Sequence, residues 1–114
     1  MKFNFATANR IIFGNGSLEK IAEIITSLGK NVLIIKGKDK PDPSRLFELC
    51  EAARLTNHIF IVEAEPDIDM INSAVKIGRE NKCDVVIGFG GGSVIDTGKA
   101  VAALLTNDEL FWTI

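Results

Sequence analysis

The apolar positions fall into two kinds of stretch that alternate along the chain: short unbroken runs, and longer segments with apolar residues on one helical face. Phe3 and Phe5 alternate with polar neighbours, and Arg10-Ile11-Ile12-Phe13 follows after a brief connector over residues 6–9. Both are short strand candidates, able to pair as a hairpin or a bent edge ribbon. Gly14-Asn15-Gly16-Ser17 is a turn ending in a good N-cap residue. Leu18, Ile21, Ala22, Ile25 and Leu28 then share a helical face, with Glu19, Lys20 and Glu23 opposite, and Gly29 stands where a C-terminal cap is expected. Val32-Leu33-Ile34-Ile35 is too short for a helix and suits a central parallel strand covered on both faces. A polar loop over residues 36–40 leads to Asp42 as a cap and Pro43 as the first position of a second helix, which runs through Leu46, Cys50 and Ala53 to about Leu55.

Residues 58–62 read as a third buried strand, with residues 63–66 as its exit loop. Asp67 is expected to cap a helix carrying Ile68, Ile71, Ala74 and Val75 on one face, with Asp69 favourably placed in its first turn. Asp84 precedes the last apolar run, Val85-Val86-Ile87, and a glycine turn and a final helix to Leu105 follow. That helix is apolar on nearly every side and is expected to be buried on more than one. The sequence therefore predicts an α/β fold: a short N-terminal strand pair, then a parallel sheet with right-handed crossovers and helices on both faces.

Composition changes this picture little. The chain has 114 residues, enough for one small domain with a real core. Apolar residues make up 46% and charged residues 25%, as in ordinary globular domains, and the net charge of −2 gives no basis for a nucleic-acid or membrane-surface partner. No run approaches the roughly 18 apolar residues of a membrane span, and Met1-Lys2-Phe3-Asn4-Phe5 lacks the apolar core of a signal peptide. Cys50 and Cys83 match neither a disulfide framework nor a CxxC site and read as small buried thiols. The expected location is a reducing cytoplasm.

The candidate chemistry lies in Gly88-Phe89-Gly90-Gly91-Gly92-Ser93-Val94-Ile95-Asp96-Thr97-Gly98-Lys99-Ala100. A buried strand, a glycine turn and a helix start follow one another directly. Such a turn directs free backbone N–H groups into open space, with the positive end of the helix dipole behind them, which suits a phosphate or pyrophosphate. Adjacent glycines remove the side chains that would hold a phosphate off the backbone. The alternative is a tight structural turn. The common dinucleotide fingerprint is not matched, because Ser93 stands at its third glycine and the turn follows the last strand. A Walker A loop is not matched either, since no Gly-Lys-Ser/Thr closes it.

The string from Gly90 to Ala100 resembles the GGGSxxDxxKA motif of the iron-containing (group III) alcohol dehydrogenases. Phe13-Gly14-Asn15-Gly16 is similar to that family's FGxG turn, Val32-Leu33-Ile34-Ile35-Lys36-Gly37-Lys38 to its second-strand segment, and Glu65-Pro66 to the end of its PNP-type segment. Asp84-Val85-Val86-Ile87-Gly88 is similar to the strand before its glycine turn. The resemblance implies a Rossmann-like fold and identifies residues 1–114 with the N-terminal dinucleotide-binding domain. It implies that Gly90, Gly91, Gly92 and Ser93 bind the pyrophosphate of NAD or NADP, with a backbone contact from Val94. Asp96 is then either a contact near the nicotinamide ribose or a partner of the helix dipole. Lys99 either reaches the phosphates or pairs with an acid such as Asp96. Gly37, flanked by Lys36 and Lys38, stands where an acid would meet the adenosine ribose and repel a 2′-phosphate. Glycine in place of that acid, with a lysine on either side, relaxes the exclusion of NADP and could even favour NADP, unless the lysines are simply a solvated loop.

Two departures qualify the resemblance. Gly98 replaces a usual alanine, which is harmless, and residues 41–44 replace a longer segment. The family's Fe2+ or Zn2+ ligands, an aspartate and three histidines, lie on a C-terminal helical domain expected to be missing here. The single histidine, His58, cannot supply them and reads as structural. No catalytic residue and no metal ligand is therefore assigned, and residues 1–114 alone are not expected to turn over an alcohol. In a full-length enzyme the metal would polarise a small alcohol or aldehyde. The carboxylate pairs Glu63 with Glu65 and Asp67 with Asp69 are covered by strand-exit and helix-cap roles. The implied partners are a nicotinamide dinucleotide, the alcohol or aldehyde, and a second copy of the chain. The alternatives are a glycerol-dehydrogenase or dehydroquinate-synthase-like relative, and a stand-alone nucleotide-binding module or truncated remnant.

Overall fold

A computed structural model describes residues 11–13, 18–38, 42–63 and 65–106. The elements are β1 (Ile11–Phe13), α1 (Leu18–Leu28), β2 (Asn31–Gly37), α2 (Ser44–Ala52), β3 (Thr56–Val62), α3 (Ile68–Glu80), β4 (Val85–Phe89) and α4 (Gly92–Thr106). The strand expected around Phe3 and Phe5 and the cap expected at Ser17 lie outside the described residues. All four strands pair in parallel in the order β1-β4-β2-β3. β1 thus joins the main sheet beside β4.

Alternation along the strands splits the core between two faces. Val32, Ile34, Val85, Ile87 and Phe89 pack with Ile25, Leu46 and Cys50 from α1 and α2. Leu33, Ile35, Val62 and Val86 pack with Ala74, Val75, Val94, Val101 and Ala102 from α3 and α4. Each fully buried Ile, Leu or Val contributes about 1.5–3 kcal/mol, so β2 and β4, buried throughout their apolar runs, hold the fold.

Several local expectations are corrected. β3 is an edge strand, not a third buried one: Ile59 and Ile61 are 40% and 37% exposed, because they point to the α1–α2 face beyond the cover of α2. Lys36 belongs to β2 and is only 4% exposed. Its stem continues the face of Val32 and Ile34, and its Nζ donates to the Gly37 carbonyl. Pro43 sits at the N-cap of α2 rather than inside it, while Asp42 Oδ1 accepts from the Ser44 N–H (3.0 Å) and hydroxyl (2.7 Å). These hydrogen bonds, chiefly from the Ser44 hydroxyl, hold the Asp42 carboxyl below the usual carboxylate range. Asp67 caps α3 as expected, accepting from the Met70 N–H at 2.8 Å.

Gly29 follows α1 without the left-handed conformation of a glycine cap. Its role is space. The Asp84 carboxylate accepts from the Lys30 and Asn31 N–H groups, at 2.9 Å for the latter, and a Cβ at residue 29 would collide with it. The left-handed closing positions after α2 and α3 are instead taken by Arg54 (φ 60°) and Lys82 (φ 53°). In each case the next amide bonds back to the last turn, Leu55 to Cys50 and Cys83 to Gly78, both at 2.8 Å.

α4 packs on the sheet and against α3, so it is buried on two sides as its composition predicts. A third side carries the exposed Leu104, which lines an apolar groove with Ala100, Ala103, Ile68 and Ile71. Among the described residues no helix is long and apolar enough to cross a membrane.

Candidate functional site

β2 and β4 are neighbours, but their connections leave in opposite directions. The chain after β2 passes to α2 on one face, and the chain after β4 passes to α4 on the other. In open α/β sheets the crevice that opens between two such strands, at their C-terminal ends, is where ligands bind. Here it has a volume of about 340 Å³ and is lined by Gly37, Val62, Glu63, Glu65, Gly91, Gly92, Ser93 and Val94.

The glycine turn forms one wall. Gly90 leaves the strand at φ +158°, and a Cβ on it would come within 3.0 Å of Val94 Cγ2, so the turn is pressed onto the first turn of α4. Val94 is buried there and anchors the helix start in the core. The first α4 amide bonded within the helix is that of Ile95, which donates to the Gly91 carbonyl at 3.0 Å. The N–H groups of Gly92, Ser93 and Val94 precede it and have no helical acceptor. Thr97, fully buried, donates its hydroxyl to the Ser93 carbonyl at 2.7 Å and tightens the same turn.

Gly91 and Gly92 differ from Gly90 in what surrounds them. A Cβ at either would meet no protein atom within 4 Å. The fold therefore does not demand glycine at these two positions for space. Both line the crevice, and side chains there would fill it.

Of the residues singled out in the sequence, the structure brings Gly37, Gly91, Gly92, Ser93 and Val94 to one crevice, while Gly90, just before them in the turn, packs on Val94 and does not line it. Lys38 stands at the rim, its Nζ 4.0 Å from Glu63 Oε1, with both side chains about two-thirds exposed. Asp96, exposed, and Lys99, partly buried, lie further along α4 and do not line the crevice. Lys36, expected in a polar loop, is turned into the α1–α2 face. Glu63, Glu65 and Val62 were missed as lining residues. The signal for them was available in principle: the end of β3 must lie beside the end of β2 if the two strands pair in parallel, and the register sets Gly37 against Val62.

Among the described residues no three His, Cys, Asp or Glu side chains come together to hold a metal ion. Cys50 and Cys83 are buried free thiols that do not line the crevice. Burial, aided by the Asp84 charge, pushes the Cys83 thiol up to about 11, which keeps it protonated and unreactive at neutral pH.

Residues 8–114 match the family described as iron-containing alcohol dehydrogenase. The chain is 33% identical over 117 residues to the probable NADH-dependent butanol dehydrogenase 1 of Bacillus subtilis, an alignment covering 98% of this chain and 30% of that one. It is 38% identical over 112 residues to the long-chain primary alcohol dehydrogenase AdhA of Thermoanaerobacter ethanolicus, covering 90% and 28%. The crystal structure of sulfoacetaldehyde reductase from Bifidobacterium kashiwanohense in complex with NAD+ superimposes with a TM-score of 0.68 at 26% identity, over 96% of this chain and 30% of that one. The chain thus spans about 30% of the length of such relatives. Fold, glycine turn and sequence agree, and the chain belongs to the iron-containing alcohol dehydrogenase family.

Proposed function

We propose that this chain is the dinucleotide-binding part of a nicotinamide-dependent alcohol dehydrogenase, and that the crevice between β2 and β4 holds NAD(P). The observation that carries this reading is the pair Gly91 and Gly92. Their missing side chains leave a cradle that no described protein atom fills, where helix N–H groups and the sheet's switch point coincide.

When bound, the dinucleotide supplies hydride transfer to or from a small alcohol or aldehyde. The residues of this chain bind and orient it. The Gly92, Ser93 and Val94 N–H groups donate to the pyrophosphate, the dipole of the 15-residue helix α4 stabilises its charge, and the Ser93 hydroxyl adds a donor. Val94 and Thr97 keep the turn rigid, so little ordering cost falls on binding. Asp96 and Lys99 act by charge from the next turns rather than by lining the crevice. The described residues form no metal site. A reducing cytoplasm fits the two buried free thiols.

Backbone amide NMR tests the reading. Addition of ADP-ribose is expected to shift the Gly91, Gly92, Ser93 and Val94 amides, and Gly37 with them, before any others. Shifts confined to another surface would rule it out. The alternative of a stand-alone nucleotide-binding module shares this site and is separated from it by whether hydride transfer accompanies binding in the full-length protein.

A further inference from the structure

The wall facing the glycine turn is acidic. We propose that Glu63 and Glu65 make this chain select NAD(H) over NADP(H). The inference rests on the crevice being a dinucleotide site.

In a doubly wound sheet the adenosine ribose is met at the end of the second strand, commonly by an acid. Here β2 ends in Gly37, which has no side chain to offer. The parallel register sets Gly37 against Val62, so the next residue of β3's exit, Glu63, stands beside that position. Glu63 and Glu65 both line the crevice with Gly37. A carboxylate accepts hydrogen bonds from ribose hydroxyls, whereas a 2′-phosphate carries no such donors and close to two negative charges at neutral pH.

The lysines that flank Gly37 do not offset this. Lys36 is buried in the α1–α2 face, its Nζ is given to the Gly37 carbonyl, and Asp42 lies within its electrostatic reach. Lys38 is shared with Glu63 at 4.0 Å. Among the described residues, the exposed charges at this wall are two carboxylates and one ammonium, and a 2′-phosphate meets net repulsion from them.

The test is calorimetric titration of the 114-residue chain with NAD+, NADP+, ADP and adenosine 2′,5′-bisphosphate. NAD+ is expected to bind about tenfold or more tighter than NADP+, and ADP tighter than the bisphosphate by a similar factor. In the Glu63→Gln, Glu65→Gln double variant the NAD+/NADP+ ratio is expected to fall to about one, chiefly through stronger NADP+ binding. Both side chains are exposed, and thermal unfolding of the variant verifies that the fold is kept. Equal or tighter binding of NADP+ by the unaltered chain, or an unchanged ratio in the double variant, overturns the selection while leaving the site intact. Failure of all four nucleotides to bind overturns both the selection and the site.

Discussion

Replacing Gly98 by alanine is expected to stabilise the protein by about 0.5–1 kcal/mol, measured by urea unfolding. The residue lies inside α4, where glycine costs backbone entropy, and a Cβ would meet Gly88 Cα at 3.6 Å, an ordinary contact. Gly78, inside α3, gives the contrasting case. A Cβ there would stand 2.9 Å from Leu105 Cδ1, so Gly78→Ala must displace a packed side chain and is expected to gain less or to lose. A second residue-scale prediction concerns Cys83. Its folded pKa of about 11 lies above the unfolded value near 9, so the protonated thiol's contribution is complete below pH 9 and is lost as pH rises toward 11. Unfolding free energy measured across that interval is expected to fall by up to about 1.4 kcal/mol per pH unit. Cys83→Ala should flatten part of this limb, to which Cys50, also raised by burial, contributes as well.

At the scale of elements, the turn from α1 into β2 depends on one close approach. Gly29→Ala is expected to destabilise the fold by about 2 kcal/mol, because the new methyl group drives the Asp84 carboxylate off the exposed Lys30 amide and the half-buried Asn31 amide. Thermal denaturation of Gly29→Ala beside Asp84→Asn would show it. This contact was not legible in the sequence, where Gly29 reads as a cap: Asp84 is far away along the chain, and only the pairing of β2 with β4 brings it near. The same limit applies to the helix ends. Left-handed closure after α2 and α3 falls on Arg54 and Lys82, residues with no preference that announces it. What the sequence did carry was periodicity. The runs at Val32 and Val85 are apolar on both faces because both faces are covered, and α3 begins at Asp67 because its carboxylate meets the Met70 amide. The sequence of β3 reads as interior although the strand is partly exposed, since Ile59 and Ile61 give the same apolar run whether or not a helix covers them.

At the scale of the molecule, the site is a consequence of strand order. The step from β2 to β3 and the return across β2 to β4 put α2 and α3 on opposite faces, α4 follows β4 on the α3 face, and the crevice opens where α2 and α4 part. The glycine turn was legible as an anion site from its spacing alone. Its opposite wall was not, because Glu63 and Glu65 join it only through the β2–β3 register. The most direct test of the account is calorimetric titration of NAD+ into the native chain and into Gly91→Ala and Gly92→Ala. Since neither new methyl group touches a protein atom, both variants should melt with the native chain. Each should nevertheless bind NAD+ about tenfold or more weakly. Native-like affinity in both variants, or no binding by the native chain at millimolar NAD+, would contradict the assignment of the crevice.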